Sequence, residues 1–360
     1  MDTARFDYSL PAELIAQEPV EPRDAARLLV ADPIAGPACH RLVRDLPEYL
    51  RPGDLLVLNR TRVIPARLFG RKTSGGEVEV LLVHPVDKAP VGGEEWICLI
   101  RGKVHPGTRI ILEEIEAEVI ACDDQSGDRI LRFPVGIPVL ALADRIGHIP
   151  LPPYIRRADR IADRERYQTV FADRPGSVAA PTASLHLTQE LLARIVSLGV
   201  TIAHVDLRIG PGTFKPVDTD RIEDFRIHAE YGTCPAATVD AVSACHQRGG
   251  RVVAVGTTVV RTLESAAAQA GGFAAFSGWT SLFLHPPAHF QVVDALMTNF
   301  HLPRSSLLML VACLTGTDRL LDLYRQAIVE RYRFFSYGDA MLLMGNCEGA
   351  IQDLNCRACP

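Results

Sequence analysis

The sequence has no large excess of charge of one sign, few aromatic side chains and no long hydrophobic run. Lys and Arg number 38 against 43 Asp and Glu, and aromatic residues make up 6% of the chain. A uniformly basic nucleic-acid-binding coat is therefore excluded, although a local basic patch is not. No uncharged apolar run reaches the roughly 18 residues of a membrane-spanning helix. The longest run, residues 305–315, predicts a buried helix instead.

Several short enzyme signatures are also missing. The sequence contains no P-loop, no His-Glu-x-x-His motif, no Gly-x-Ser-x-Gly elbow and no dinucleotide-binding fingerprint. The first residues lack the basic and then apolar pattern of a secretion signal, so we expect a cytoplasmic protein without a membrane partner. Nine cysteines, odd in number and irregularly spaced, indicate free thiols. Cys356-x-x-Cys359 with Cys347 is too weak a pattern to predict a zinc site.

The length and the changes of pattern along the chain predict two domains. A chain of 360 residues with 48% apolar residues can bury a large core without disulfide bonds. Between residues 66 and 149, short strands alternate with turn clusters, as in a β-sandwich or small barrel. The predicted strands there are residues 77–80, 96–100, 109–112, 116–120 and 129–133. We therefore expect an inserted β domain at 66–149, an α/β catalytic domain at 1–65 and 150–345, and a polar, Cys-containing tail at 346–360.

The chain after residue 190 alternates between helical and strand patterns, which favours an α/β sheet. The predicted helices are residues 191–198, 237–248, 258–269, 307–314 and 319–331, and the predicted strands are residues 201–209 and 251–255. The predicted fold class is therefore a larger α/β sheet domain with an inserted, small β-barrel-like domain.

Two loops rich in small residues are candidate ligand sites. Residues 179–188 end in a histidine, His186, whose imidazole titrates near neutral pH and can transfer protons. An equally good interpretation is that Thr188 only caps the next helix and His186 is structural. Gly210-Pro211-Gly212-Thr213 follows a strand, and its glycines allow a ligand close to the backbone, although an ordinary tight turn is the commoner explanation.

Two further segments carry charged groups that could act together. His228 and Glu230 are two residues apart, so in a strand both side chains would face the same side. They are too few for a metal site, and a structural hydrogen-bonded pair is the commoner explanation. The turn at Gly256 and the following helix could bind a carboxylate or phosphate, with Arg261 one turn into the helix. The alternative is an ordinary strand-to-helix connection.

Residues 298–305, residues 331–339 and the arginines at 156–174 are less specific. The first is a polar loop before an apolar helix, and the second combines basic and aromatic side chains that could stack on bases or only pack a helix end. The arginines could follow a phosphate backbone or form a salt-bridged surface with the acids between them.

These segments, taken together, resemble one family: the S-adenosylmethionine:tRNA ribosyltransferase-isomerases of queuosine biosynthesis. The matching segments include Ala179-Ala180-Pro181-Thr182-Ala183, Val255-Gly256-Thr257-Thr258, Thr298-Asn299-Phe300-His301-Leu302-Pro303 and Tyr332-Arg333-Phe334-Phe335-Ser336-Tyr337-Gly338-Asp339, with residues 10–17, 23–29, 61–68, 152–155 and 164–170. They occur in family order from about residue 6 to residue 343.

The resemblance implies an activity. The family transfers the ribosyl part of S-adenosylmethionine to 7-aminomethyl-7-deazaguanine at the tRNA wobble position and isomerises it, giving epoxyqueuosine, adenine and methionine. It implies S-adenosylmethionine as co-substrate, the tRNA anticodon loop as partner, and no metal. We expect a monomer.

The chemistry of a sulfonium co-substrate suggests roles for the candidate residues. A sulfonium makes the adjacent ribose C5′ hydrogens acidic, so that a base can start the reaction. We assign His186, His228 and Glu230 to proton transfer. The predicted substrate-binding residues are Arg62, Arg261, Arg304 and Arg333 for carboxylate or phosphate contacts, Thr182, Gly212, Thr213 and Thr257 for the nucleoside pocket, and Asn299 and His301.

The chain departs from the family pattern at Arg60, Ser184, Asp206 and Arg208. These changes leave two alternatives open. One is a diverged S-adenosylmethionine-dependent ribosyl transferase acting on a free deazapurine or nucleoside. The other is a non-catalytic RNA-binding homologue.

Overall fold

The computed structural model describes residues 1–86, 93–124 and 126–344. The predicted polar tail, with Cys347, Cys356 and Cys359, lies outside the described residues. Within them, every cysteine is a free thiol, as predicted, and no helix is long and apolar enough to cross a membrane.

The strands of the described chain form a large sheet, a barrel and a two-stranded ribbon. In chain order they are β1 (Arg27–Ala31), β2 (Cys39–Leu42), β3 (Leu55–Asn59), β4 (Thr61–Val63), β5 (Arg67–Lys72), β6 (Glu77–Pro85), β7 (Glu95–Arg101), β8 (Arg109–Leu112), β9 (Ile115–Cys122), β10 (Asp128–Arg132), β11 (Arg174–Ser177), β12 (Thr201–Leu207), β13 (Glu230–Cys234), β14 (Val252–Val255), β15 (Phe276–Thr280), β16 (Ala295–Asn299) and β17 (Ala340–Met344).

The large sheet has nine strands in the order β15-β13-β12-β3-β14-β16-β17-β1-β2. The four central strands β12, β3, β14 and β16 are parallel to one another, and β17 and β13 pair antiparallel with the two outer members of this group. Every residue of β3, β14 and β16 is buried, because helices and turns cover both faces. The carboxyl ends of four strands therefore meet at one edge of the sheet.

The barrel is closed by six strands in the order β10-β7-β6-β5-β8-β9. All neighbouring strands are antiparallel, and alternate residues of β6 and β9 face a core that includes Val80, Trp96 and Val119. The alternating pattern of the sequence follows from this one-sided burial. The strands predicted in this region and the barrel-like architecture are confirmed, while strand β5 was not predicted.

The helices are α1 (Val139–Ile146), α2 (Asp163–Arg166), α3 (Gln189–Ser197), α4 (Ala236–Gln247), α5 (Thr257–Ala267), α6 (Ser306–Thr315) and α7 (Thr317–Val329). Short 3₁₀ turns lie at Thr3–Phe6, Ala12–Leu14, Arg23–Ala25, Val43–Tyr49, Thr182–His186, Pro211–Phe214 and Ile222–Asp224. Five predicted helices correspond to α3 through α7, and the fold class, an α/β sheet with a small β-barrel, is confirmed. Thr188 caps α3 by accepting a hydrogen bond from the amide of Leu191 at 3.1 Å.

Two hydrophobic cores cover the opposite faces of the large sheet. One core packs α5, α6 and α7 against the sheet and includes Leu263, Leu308 and Leu323. The other packs α3 and the turn Val43–Tyr49 against the opposite face and includes Leu46 and Leu191. This double covering fixes the central strands and so makes a rigid edge on which loops can position functional side chains.

Candidate active site

A cleft lies at the carboxyl edge of the four parallel strands. Asn59, Leu207, Val255 and Asn299 are the last residues of β3, β12, β14 and β16, and the loops that follow three of these strands line the cleft. Ligands of open α/β sheets bind at such an edge, because loops from several strands converge there.

The cleft consists of two adjoining hollows of about 360 and 370 Å³. Their shared lining is Thr182, Thr213, Asn299, His301 and Leu307. A third hollow of about 330 Å³ shares Thr213, Thr257, Thr258 and Leu307 with the first and continues to Glu230 and Arg261. The structure thus brings together five predicted residues, Thr182, Thr213, Thr257, Asn299 and His301, from distant parts of the chain.

The N-terminus of α5 forms one wall of the cleft. Gly256 immediately precedes the helix with φ at 97°, a conformation that favours glycine. Thr257 and Thr258 follow in the first turn and line the cleft. No side chain caps this helix. Because residues of its first turn line the hollow, the positive end of the helix faces it. Asn59 fixes the turn by donating from Nδ2 to Thr258 Oγ1 at 3.2 Å.

Glu230 and Arg261 form a buried ion pair beside the third hollow. Arg261 Nη1 lies 2.6 Å from Glu230 Oε2, and only 8% and 5% of their side chains are exposed. The other carboxylate oxygen, Oε1, accepts from the Gly210 amide at 2.9 Å and from Thr213 Oγ1 at 2.6 Å. The glutamate therefore fastens the 210–213 turn to the edge of the sheet.

Both terminal nitrogens of Arg261 donate hydrogen bonds to the protein, whereas its buried Nε has no hydrogen-bond partner among the described residues. Its second terminal nitrogen donates to the carbonyl oxygens of His228 and Thr280 at 3.0 and 3.2 Å. These bonds hold the guanidinium against Glu230. Arg261 thus holds Glu230 in place, and because it also lines the third hollow, its predicted contact with a ligand stays a prediction.

His228 lies outside β13, which begins at Glu230, and its side chain is exposed while that of Glu230 is buried. The expectation that the two side chains share a strand face was therefore wrong. Both groups nevertheless contact the same turn, because a Cβ added to Gly212 would lie 2.5 Å from the His228 ring. Glycine at 212 allows the imidazole to pack on the turn.

Asn299 is the centre of a second polar network. Its Oδ1 accepts from Thr182 Oγ1 at 2.8 Å, and its Nδ2 lies 3.4 Å from the carbonyl oxygen of Asp339 and 3.3 Å from His186 Nε2. Asn299 and Thr182 line the cleft, whereas His186 lines a separate hollow with Arg23 and Arg166. His186 thus lies behind Asn299, whose side chain joins it to the cleft.

The two buried histidines of this region are neutral near pH 7. Burial lowers the pKa of His186 to about 3, with smaller contributions from Arg333 and Arg23. Burial alone lowers the pKa of His301 to about 3. His301 lines the cleft, and its Nε2 lies 2.8 Å from Thr298 Oγ1. A neutral imidazole in this wall can exchange hydrogen bonds with a ligand without introducing charge.

Three predicted arginines lie outside these hollows. Arg62 is exposed on β4. Arg304 has φ at 55°, and its backbone bonds to Phe6 and Val217. Arg333 donates to the Glu18 carbonyl and lies 3.5 Å from an Asp339 carboxylate oxygen. Arg333 is connected to the Asn299 network, because Asp339 contacts both Arg333 and Asn299.

Several residues that line the cleft were not among the predicted site residues, and three of them are Tyr154, Leu307 and Ser336. Tyr154 donates to or accepts from Ser336 Oγ at 2.5 Å and packs on Phe335 with ring centroids 4.7 Å apart. Two of the three lie within segments that carry the family resemblance, which was the available signal. Their convergence depends on tertiary structure.

The arginines at 156–174 are largely paired with acids or carbonyls. Arg157 bridges Asp163 and Glu18, and Arg160 also contacts Glu18. Arg166 pairs with Glu21. The salt-bridged-surface interpretation therefore describes most of this stretch. In the part of the chain that the structure describes, no group of three His, Cys, Asp or Glu could hold a metal ion.

The four departures from the family pattern lie in different places. Arg60 forms an exposed ion pair with Asp173. Ser184 is fully buried in the turn behind the cleft. Asp206 is half-buried, and burial raises its pKa. Arg208 lines a hollow of about 430 Å³ between the barrel and the sheet.

Comparisons with known proteins agree with this architecture. The profile of a family described as "Queuosine biosynthesis protein" matches residues 3–343. The S-adenosylmethionine:tRNA ribosyltransferase-isomerase of Anaeromyxobacter sp. is 53% identical over 346 residues, covering 95% of this chain and 99% of the relative. That of Gloeobacter violaceus is 52% identical over 345 residues, covering 95% and 96%.

A solved structure is also similar. The crystal structure of S-adenosylmethionine tRNA ribosyltransferase from Thermotoga maritima is 40% identical, with a TM-score of 0.54, and the match covers 94% of this chain and 100% of that chain. With the family profile spanning nearly all of the described residues, the chain belongs to the queuosine biosynthesis family of S-adenosylmethionine:tRNA ribosyltransferase-isomerases.

Proposed function

We propose that the chain transfers the ribosyl part of S-adenosylmethionine to 7-aminomethyl-7-deazaguanine at the wobble position of a tRNA anticodon loop. The ribose is isomerised, epoxyqueuosine forms, and adenine and methionine leave. Relatives about half identical over 95% of the chain carry the name of this enzyme. The protein acts as a monomer in the cytoplasm, where tRNA is modified, and needs no metal.

The observation that carries this proposal is the cleft at the carboxyl edge of the sheet. Its walls combine a helix N-terminus at Thr257, hydroxyl groups at Thr182 and Thr213, and an apolar side chain at Leu307. A nucleoside needs flat apolar contacts with a few polar groups, and a methionine carboxylate suits the positive end of a helix. The hollows therefore suit a co-substrate that has both a nucleoside and a methionine carboxylate.

Glu230 is the best-placed base among the three candidates. Its carboxylate borders the third hollow and is held by Arg261, Gly210 and Thr213. An ionised carboxylate beside a sulfonium ligand can both stabilise the positive charge and remove an acidified proton. His186 is a positioning residue, because it reaches the cleft through Asn299. His228 shapes the 210–213 turn.

One assay tests the function directly. The protein is incubated with S-adenosylmethionine and tRNA that carries 7-aminomethyl-7-deazaguanine, and adenine release is measured with the mass of the tRNA. We expect both to change together, and neither to change when the tRNA lacks the modified base. Adenine release with a free nucleoside only would support the diverged transferase. Binding without turnover would support the non-catalytic homologue.

A matched pair of variants tests the role of Glu230. Glu230→Gln keeps the acceptor oxygen for Gly210 and Thr213 but removes the charge, so we expect single-turnover rates to fall by about 100-fold or more. Glu190→Gln, on the exposed first turn of α3, is the control and should leave the rate unchanged. A wild-type rate for Glu230→Gln would remove Glu230 from the catalytic list.

A further inference from the structure

A fourth hollow lies between the barrel and the large sheet and is lined by aromatic and basic side chains. Its volume is about 430 Å³. The barrel contributes the end of β6, including His84, and the sheet contributes β13 and β15 with Tyr231 and Trp279. These aromatic side chains do not line the three hollows of the candidate active site, so the proposed reaction does not explain why they lie together.

The aromatic rings form a platform that remains open to solvent. Trp279 is 45% exposed, one of the few large hydrophobic side chains that the described surface presents. Its ring lies 4.9 Å from that of His84 and 5.7 Å from that of Tyr231, and Tyr231 faces Trp279 across the β13–β15 pair. An exposed indole braced on two sides is a surface on which a flat ring can stack.

Arg208 adds positive charge to the same hollow. Its guanidinium carbon lies 5.1 Å from the centroid of the Tyr231 ring, a cation–π contact. Its Nε is buried and finds no hydrogen-bond partner within the described residues. Gly176, at φ 144°, makes room for the side chain, because a Cβ there would lie 3.2 Å from Arg208 Cδ. Arginine stacked beside aromatic rings is typical of single-stranded nucleic-acid sites.

The hollow adjoins the active-site cleft through a shared wall. Ile209 lines both this hollow and the first hollow of the cleft, and Glu230 lines both this hollow and the third. Gly210, whose amide is held by Glu230, also lines it. A ligand in the aromatic hollow would therefore lie directly across the 209–210 backbone from a ligand in the cleft.

We propose that the hollow formed by His84, Tyr231, Trp279 and Arg208 binds one unpaired nucleobase of the RNA substrate, next to the nucleotide that reacts. The base stacks on the Trp279 indole, and Arg208 supplies charge for the neighbouring phosphate. This inference rests on the proposed function, because it takes the RNA from that reaction. It adds a binding site for a neighbouring base, which the reaction of S-adenosylmethionine in the cleft does not itself require.

The fluorescence of Trp279 reports stacking directly. The chain has two tryptophans, and the other, Trp96, is buried in the barrel with 3% exposure. A Trp96→Phe protein therefore emits from Trp279 alone. We expect a single-stranded RNA of the anticodon-loop sequence to quench this emission as it binds, and S-adenosylmethionine alone to leave it unchanged. RNA that binds, by anisotropy, without quenching would overturn the proposal.

Affinity measurements give a second, independent readout. Base–aromatic stacking contributes enough that Trp279→Ala should weaken RNA binding about 10- to 100-fold, while Trp279→Phe retains most of it. The control is Phe69→Ala, which removes an aromatic ring with 54% exposure elsewhere on the barrel. Affinity for S-adenosylmethionine without RNA should be the same in all four proteins. Equal RNA affinity of Trp279→Ala and wild type would contradict the proposal.

Turnover separates this inference from the proposed function. If the wild type modifies tRNA and Trp279→Ala shows a raised KM for tRNA at an unchanged kcat, both proposals stand. If the wild type modifies tRNA and Trp279→Ala has an unchanged KM, the stacking site fails and the function stands. If the wild type shows no turnover, the proposed function fails, and RNA-dependent quenching in the Trp96→Phe protein still decides whether the hollow binds a base.

Discussion

The buried pair of Glu230 and Arg261 permits a quantitative test of how the active site is held. We consider Arg261→Met, which keeps most of the side-chain length and removes the charge. The variant leaves the Glu230 carboxylate in a site with 5% exposure and without its cation. It also leaves the carbonyl oxygens of His228 and Thr280 without their donors.

The expected cost follows from these contacts. Removing one partner of a buried ion pair costs about 3–5 kcal/mol, because the remaining charge stays uncompensated. Two lost bonds to carbonyl oxygens add up to roughly 1 kcal/mol each. We therefore expect Arg261→Met to lower the free energy of unfolding by about 3–7 kcal/mol.

The double variant distinguishes this explanation from simple loss of packing. Glu230→Gln retains an acceptor for Gly210 and Thr213 but places an amide beside Arg261. Combining Glu230→Gln with Arg261→Met removes both charges, which is often nearly neutral for a buried pair. The double variant should therefore be more stable than the sum of the single effects predicts, by about 2 kcal/mol.

Urea denaturation of the four proteins, followed by circular dichroism, measures this cycle. The slope of free energy against urea should be the same in all four, because the surface exposed on unfolding is unchanged. Single effects that add within 0.5 kcal/mol, or an Arg261→Met variant as stable as the wild type, would refute the claim that a buried ion pair fastens the 210–213 turn.

Three further predictions concern stability. Burial lowers the pKa of His186 from 6.5 to about 3. Between these pH values the unfolded chain binds more protons than the folded protein, so the stabilising contribution of neutral His186 is complete above about pH 6.5 and is lost toward pH 3. Urea midpoints at pH 7 and pH 4 should therefore differ less in His186→Gln than in wild type, and an equal difference would contradict this prediction. Gly147→Ala places a Cβ 1.9 Å from the Pro65 carbonyl oxygen and should cost about 3 kcal/mol or more, measured as a lower melting temperature, whereas Gly278→Ala, 3.6 Å from its nearest neighbour, should be neutral. Thr188→Ala removes the cap of α3 and should cost about 1 kcal/mol in the same measurement; no change would mean that solvent replaces the cap.

The secondary structure was largely predictable because local patterns reflect burial. The helices α3 to α7 were predicted from their sequence patterns, although α5 is buried on all sides. The barrel strands were predicted from their alternation, since one face of each strand packs on the barrel core. Strand β5 was missed because Arg67–Lys72 buries only Leu68, exposes Phe69, and otherwise consists of charged residues and a glycine. The number of strands in the barrel and their order depend on pairings between strands that are distant in sequence, which no local pattern encodes.

The site was predictable only in part, because its geometry depends on chain segments far apart in sequence. Thr182, Thr213, Asn299 and His301 were identified from their loops, and they do share a cleft. The placement of His186 behind Asn299, and the engagement of Arg261 by two carbonyls, follow from three-dimensional contacts that spacing does not encode. His228 and Glu230 are close in sequence, but β13 begins at Glu230. His228 therefore lies outside the strand, and the two side chains do not share a strand face.

Charge alone cannot explain how this chain binds RNA. Its net charge is −5, and the richest arginine stretch is neutralised locally, because Arg157, Arg160 and Arg166 pair with carboxylates. A surface of this kind releases few counterions, so the salt dependence of RNA binding should be shallow compared with that of a basic coat. Base stacking depends little on salt. The hollow around Trp279 provides a surface for stacking, and Arg208 is the arginine that lines it. A shallow salt slope that falls by about one further unit in Arg208→Gln would agree with this balance, whereas a steep slope unaffected by Arg208→Gln would mean that phosphate contacts elsewhere hold the RNA.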